Sequence, residues 1–132
     1  MAKKKDFMFR GKTLQEVRAL GLNEFAELAN ARIRRSIKKG FTEAQKCLLV
    51  KIKKFKDGKR QKPVKTHCRD MVLLPEMVGM TIYVYNGKQF VPVKVEFDML
   101  GGCLGEYALS RGRVQHSSPG VGATKSSAAA KK

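Results

Sequence analysis

The chain has 132 residues, 42% of them hydrophobic, with 28 Lys or Arg against 11 Asp or Glu and a formal net charge of +17. That length supports one core and excludes two full-sized domains, and self-repulsion of this size is tolerated where a polyanion supplies counter-charge. No window approaches the ~18 consecutive apolar residues of a spanning helix, and Met1-Ala2-Lys3-Lys4-Lys5 runs into Asp6 rather than an apolar leader, so the expected setting is the cytoplasm with no membrane contact.

Thr13-Leu14-Gln15-Glu16 has the form of a capping box, which predicts a first helix stopped at Gly21. Phe25, Leu28, Ala29, Ile33 and Ile37 recur at steps of three or four, predicting one helix from Asn23 to Lys39 that ends at Gly40. A third helix is expected from Thr42, with Gln45 completing a second box and Ala44, Leu48, Ile52 and Phe55 as its apolar stripe. Off these stripes lie Arg32, Arg34, Arg35, Lys38, Lys39, Lys51, Lys53 and Lys54. Between Arg32 and Lys65 fourteen bases face only Glu43 and Asp57. A merely solvated helix face interleaves both signs, so nucleic-acid contact is the stronger reading.

After Pro63 the composition shifts to β-formers. Thr81 to Tyr85 and Phe90 to Val95 flank Asn86-Gly87, the signature of a type I′ hairpin, and Pro92 in the second strand predicts a sheet edge or a bulge. Met71 to Gly79 reads as an apolar segment broken by Pro75 and packed under the hairpin, and the glycines at 101, 102 and 105 suggest close backbone packing. From Gly112 onward the Gly, Ser and Ala-rich sequence holds too little apolar surface to order itself alone. The expected organisation is a basic helical region at 1–63, an α+β body at 64–110 and an extended basic tail at 111–132.

Chemistry by catalysis finds little support. Cys47, Cys68 and Cys103 are widely spaced and form no Cys-x-x-Cys pair, so neither a disulfide framework nor a metal site is expected. The glycines fit no phosphate-cradling motif, and His67, Asp70 and a serine from the 117–118 pair could be drawn as a triad with nothing to bring them together. No cofactor is expected. Arg32-Ile33-Arg34-Arg35 followed by Lys38-Lys39 suits phosphates rather than base edges, and arginine clamps on an irregular surface suit folded RNA. A free-standing DNA-compacting protein would share the composition, but it gives no reason for the motifs that follow.

Lys65-Thr66-His67-Cys68-Arg69-Asp70-Met71, Leu73-Leu74-Pro75-Glu76-Met77-Val78-Gly79, Val84-Tyr85-Asn86-Gly87-Lys88 and Leu104-Gly105-Glu106-Tyr107 stand in this order. The set resembles the small-subunit ribosomal protein nineteen family over residues 64–116. Phe9-Arg10-Gly11, the Arg32 to Lys39 cluster and the tail from His116 to Ser127 extend the likeness to its archaeal and eukaryotic branch. The resemblance implies a non-enzymatic α+β protein of the small-subunit head bound to ribosomal RNA. It also implies pairing with the homologue of ribosomal protein thirteen of the bacterial series, and a tail directed toward the decoding region and the aminoacyl-site transfer RNA. It further implies RNA contact at Lys65, Thr66, His67 and Arg69, at Asn86, Gly87 and Lys88, and along the tail at Arg111, Arg113, His116 and Lys125. Three features depart from the family. Gly101-Gly102 stands where Gly-His is usual, Ile33 replaces a glutamine, and the chain ends Ala128-Ala129-Ala130-Lys131-Lys132.

Overall fold

Four helices and a three-stranded sheet share one apolar core, from Phe9, Val17, Phe25 and Ile52 to Val64, Met71, Ile82 and Leu104. The structure, a computed structural model, describes residues 7–115 and 125–126.

The helices are α1 (Leu14–Ala19), α2 (Leu22–Leu28), α3 (Ala31–Lys39) and α4 (Glu43–Lys56). The capping box at Thr13 forms as expected, with Thr13 N donating to Glu16 Oε2 at 2.7 Å. Gly21 does not stop α1 in a left-handed conformation; at φ −68° it is the N-cap of α2, and its amide donates to Glu24 Oε2 at 3.1 Å.

The helix expected from Asn23 to Lys39 is two helices. Ala29 and Asn30 are both extended, and Asn30 Oδ1 accepts from Ile33 N at 3.0 Å to start α3. A break leaves the last carbonyls of α2 without intrahelical partners. Arg34 meets that need: its guanidinium donates to Ala26 O at 3.3 Å, Glu27 O at 3.0 Å and Ala29 O at 3.2 Å. The apolar spacing continues across the break because both helices bury the same side against the core, with Phe25, Ala26, Ile33 and Ile37 all buried.

Gly40, at φ +90°, ends α3, and Thr42 caps α4 in a capping box with Gln45. The buried stripe of α4 is Gln45, Leu48 and Ile52; Ala44 is exposed and Phe55 remains 36% exposed, contrary to the expected stripe. Gln45 can be buried because both ends of its amide are used, its oxygen accepting from Thr42 N at 3.0 Å and its nitrogen donating to Asp70 Oδ2 at 2.7 Å.

The sheet runs β1 (Val64–Thr66), β2 (Thr81–Tyr85), β3 (Phe90–Lys94), with β1 parallel to β2 and β2 antiparallel to β3. Val64, Ile82 and Val93 form one buried row and Thr66, Val84 and the half-buried Val91 the next. Pro92 lies on the edge strand β3, where a missing amide donor is tolerated. Met71 to Met77 lies in the crossover between the parallel strands and is buried except at Glu76, with a 3₁₀ turn at Pro75–Met77.

Asn86-Gly87 is not a two-residue turn. Tyr85 pairs with Phe90, leaving a four-residue loop in which Gly87 alone has positive φ and Asn86 Oδ1 accepts from the amides of Lys88 and Gln89. The side chain of Asn86 takes over the turn that its backbone was expected to make. A two-residue turn with positive φ at both positions occurs instead at Arg10-Gly11, closed by reciprocal 3.0 Å bonds between Phe9 and Lys12. The close packing expected near residue 105 is present, since a Cβ on Gly105 would fall 2.9 Å from Arg69 O.

Candidate nucleic-acid interface

The cations of residues 32–65 project from α3, α4, the loop at 57–63 and β1. Arg32, Arg35, Lys39, Lys51, Lys53, Lys54 and Lys65 are all exposed. Among the described residues only three of the fourteen form ion pairs: Arg34 and Lys38 with Glu27, and Lys46 with Glu43. The Lys38 ammonium, 2.8 Å from Glu27, is the main reason that this carboxyl is held below its ordinary range. A surface with so many uncompensated cations and few acids is built to meet phosphates.

Arg32, Arg35 and Lys39 also line a cleft of about 340 Å³ floored by Gln45, Asp70, Val72 and Cys103. Burial, aided by the charges of Glu106 and Asp70, pushes the Cys103 thiol above its usual value. That thiol is therefore a poor nucleophile near neutrality.

Three residues drawn toward RNA by sequence are occupied within the protein. Arg34 closes the end of α2. Arg69 is half-buried and donates to Tyr85 O at 2.8 Å, Gly105 O at 2.8 Å and Ala108 O at 2.6 Å, joining the end of β2 to the 3₁₀ turn at Leu104–Tyr107. Thr66 is buried, and its hydroxyl accepts from Cys68 N at 3.0 Å. His67 is exposed and packs on Tyr85 and Phe90, with centroids at 4.5 and 5.2 Å. Asp70 holds Gln45 instead of His67, so the two do not stand as a base and its orienting acid. Among the described residues no three His, Cys, Asp or Glu side chains converge as metal ligands would, and no helix is long and apolar enough to cross a membrane.

The hairpin tip and the beginning of the tail come together: Asn86, Gly87 and Lys88 line one side of an open groove, and Ser110, Arg111 and Gly112 the other. Arg113 and Lys125 are exposed, whereas His116 lies outside the described residues. At Gly102 a Cβ would meet Glu106 Oε2 at 2.8 Å and Tyr107 Oη at 3.1 Å, so a side chain here would require those two exposed side chains to move aside.

Sequence reasoning passed over the outward face of the sheet, where Tyr83, Tyr85 and Phe90 stand half-exposed. The signal was the alternation in Ile82-Tyr83-Val84-Tyr85, which turns the tyrosines away from the valine and isoleucine side.

Comparison with known families matches residues 35–116 to the family described as Ribosomal protein S19. The match begins within α3, at Arg35, and spans α4, the whole sheet and the 3₁₀ turn at Leu104–Tyr107, elements that carry and brace most of the cationic surface. This is a family of structural proteins of the small ribosomal subunit that bind ribosomal RNA. The chain belongs to the ribosomal protein S19 family.

Proposed function

We propose that this protein fastens the head of the small ribosomal subunit by neutralising ribosomal RNA phosphates, pairs there with the homologue of ribosomal protein thirteen, and sends its basic tail toward the decoding region and aminoacyl-site transfer RNA. The observation that carries the RNA part is the cationic surface of α3, α4, the 57–63 loop and β1, in which three of fourteen bases have acidic partners among the described residues. The RNA-facing set is Arg32, Arg35, Lys38, Lys39, Lys51, Lys53, Lys54 and Lys65 with His67, the hairpin tip at 86–88 and the tail cations. Arg34, Thr66 and Arg69 support that set by holding the backbone that presents it.

The family resemblance is what supports the head location, the protein partner and the tail's course. Their test is cross-linking of the tagged chain within purified small subunits. Links to the protein-thirteen homologue and to head RNA, and from Lys125 to transfer RNA in programmed ribosomes, are the expected result. A chain that leaves the subunit in a moderate salt wash, or that links only to RNA of the body, would overturn the proposal.

A further inference from the structure

The three strands leave one face without a packing partner among the described elements, since α4 meets the sheet at β1 and the buried rows of Val64, Thr66, Ile82, Val84 and Val93 occupy the other face. The alternation of the strands puts Lys65, Tyr83, Tyr85, Phe90, Pro92 and Lys94 on this outer face, and His67 continues it beyond β1. Tyr85, Phe90 and His67 form a contiguous cluster with centroids 4.5 to 5.2 Å apart and interplanar angles of 45°, 56° and 79°. None of the three pairs is a parallel stack, the geometry that would consume a face of each ring.

The rings are held in place before any ligand arrives. Tyr85 Oη donates to Gly87 O at 2.9 Å, and the Tyr85 carbonyl is held by Arg69. The Lys65 ammonium lies 5.4 Å from the Phe90 centroid, and the same face carries the exposed Lys94 at the far end of β3. No acidic residue occurs in any of the three strands or in the 86–89 loop.

Fixed aromatic rings on an open sheet face, with the Lys65 ammonium beside them and no acid in the strands, match the two surfaces of an unpaired nucleotide: a flat apolar base and an anionic backbone. A double helix presents the second surface but keeps its bases stacked inside. We infer that the outer face of the sheet, centred on Tyr85 and Phe90, is a stacking platform for unpaired bases of single-stranded RNA. The inference rests on the RNA-binding reading and adds to it a second mode of contact, by base stacking, on a different side of the molecule's chemistry from the phosphate contacts of α3 and α4.

The test uses the full chain with a single-stranded RNA of about twelve nucleotides and with its duplex counterpart. Phe90→Leu and Tyr85→Leu should each weaken single-strand binding about tenfold, leave duplex binding unchanged and leave the salt dependence of both unchanged. In the unaltered protein, which removes any concern over folding of the variants, ring-proton resonances of Tyr85 and Phe90 should move upfield with the single strand and stay in place with the duplex. Unmoved rings in a protein that still binds RNA would overturn the platform while leaving the phosphate reading intact. Equal loss on duplex and single strand, or rings that respond only to another small-subunit protein, would also overturn it. Absence of binding to either RNA would remove the phosphate reading and the platform together.

Discussion

Replacing Arg69 with alanine removes three charged hydrogen bonds at once, to the carbonyls of Tyr85, Gly105 and Ala108. Bonds from a charged donor are worth about 1.5–3 kcal/mol each, but they do not simply add, because the guanidinium regains water when unfolded and the half-buried carbonyls of Tyr85 and Gly105 can partly rehydrate. Ala108 is fully buried, so its carbonyl stays unsatisfied. The expected loss is about 3 kcal/mol, which for a domain of this size lowers Tm by roughly 10–20 °C. Urea unfolding followed by far-ultraviolet circular dichroism measures it, with Arg69→Lys recovering only part because one ammonium cannot span three acceptors. The salt dependence of RNA binding should be that of the parent under conditions where the variant is folded. A loss below about 1 kcal/mol would refute the bracing role, and an altered salt slope would return Arg69 to the RNA surface.

Gly105→Ala places a Cβ 2.9 Å from Arg69 O, a backbone atom that cannot swing aside, and should cost about 1–3 kcal/mol by the same unfolding measurement. Thiol labelling near pH 8 should modify exposed Cys47 well before Cys103, whose thiol is raised by burial and by Glu106 and Asp70; mass spectrometry of partly labelled protein reads the order. Glu16 is held below its ordinary 4.5, chiefly by its bond from the Thr13 amide, and Glu27 below it by Lys38. A depressed carboxyl pKa adds stability that is present above the unfolded value and is lost as pH falls through the folded one. Acid titrations of Glu16→Gln and Glu27→Gln should therefore show smaller losses than the parent below pH 4.5.

What the sequence disclosed was local. The Thr13 and Thr42 boxes could be read directly because cap and helper lie three residues apart, and both form. Pro92 announced an edge strand for an equally local reason. The break at Ala29-Asn30 was hidden because the apolar period runs through it unchanged, and Arg34, which satisfies the break, acts through side-chain bonds that no periodicity reports. Asn86-Gly87 misled because a dipeptide preference does not fix strand register, which here leaves Lys88 and Gln89 in the loop. The parallel strand Val64–Thr66 is too short for alternation to declare itself.

The candidate interface was legible in charge and not in geometry. Composition located the cations between 32 and 65, yet it could not separate Arg34 and Arg69, whose donors are occupied by carbonyls, from Arg32 and Arg35, which line an open cleft. Nor could it bring His67, Tyr85 and Phe90 together, since that cluster joins β2 and β3 to the residue that follows β1.

The claim that α4 meets ribosomal RNA through its lysines is tested most directly by the salt dependence of binding for the parent and for the triple variant Lys51→Gln, Lys53→Gln, Lys54→Gln. All three side chains are exposed and none forms an ion pair among the described residues, so the fold should be unaffected. If each neutralises one phosphate, the slope of log K against log salt becomes shallower by about 2 to 3. An unchanged slope, with the triple variant binding small-subunit RNA as tightly as the parent at every salt concentration, would contradict the account.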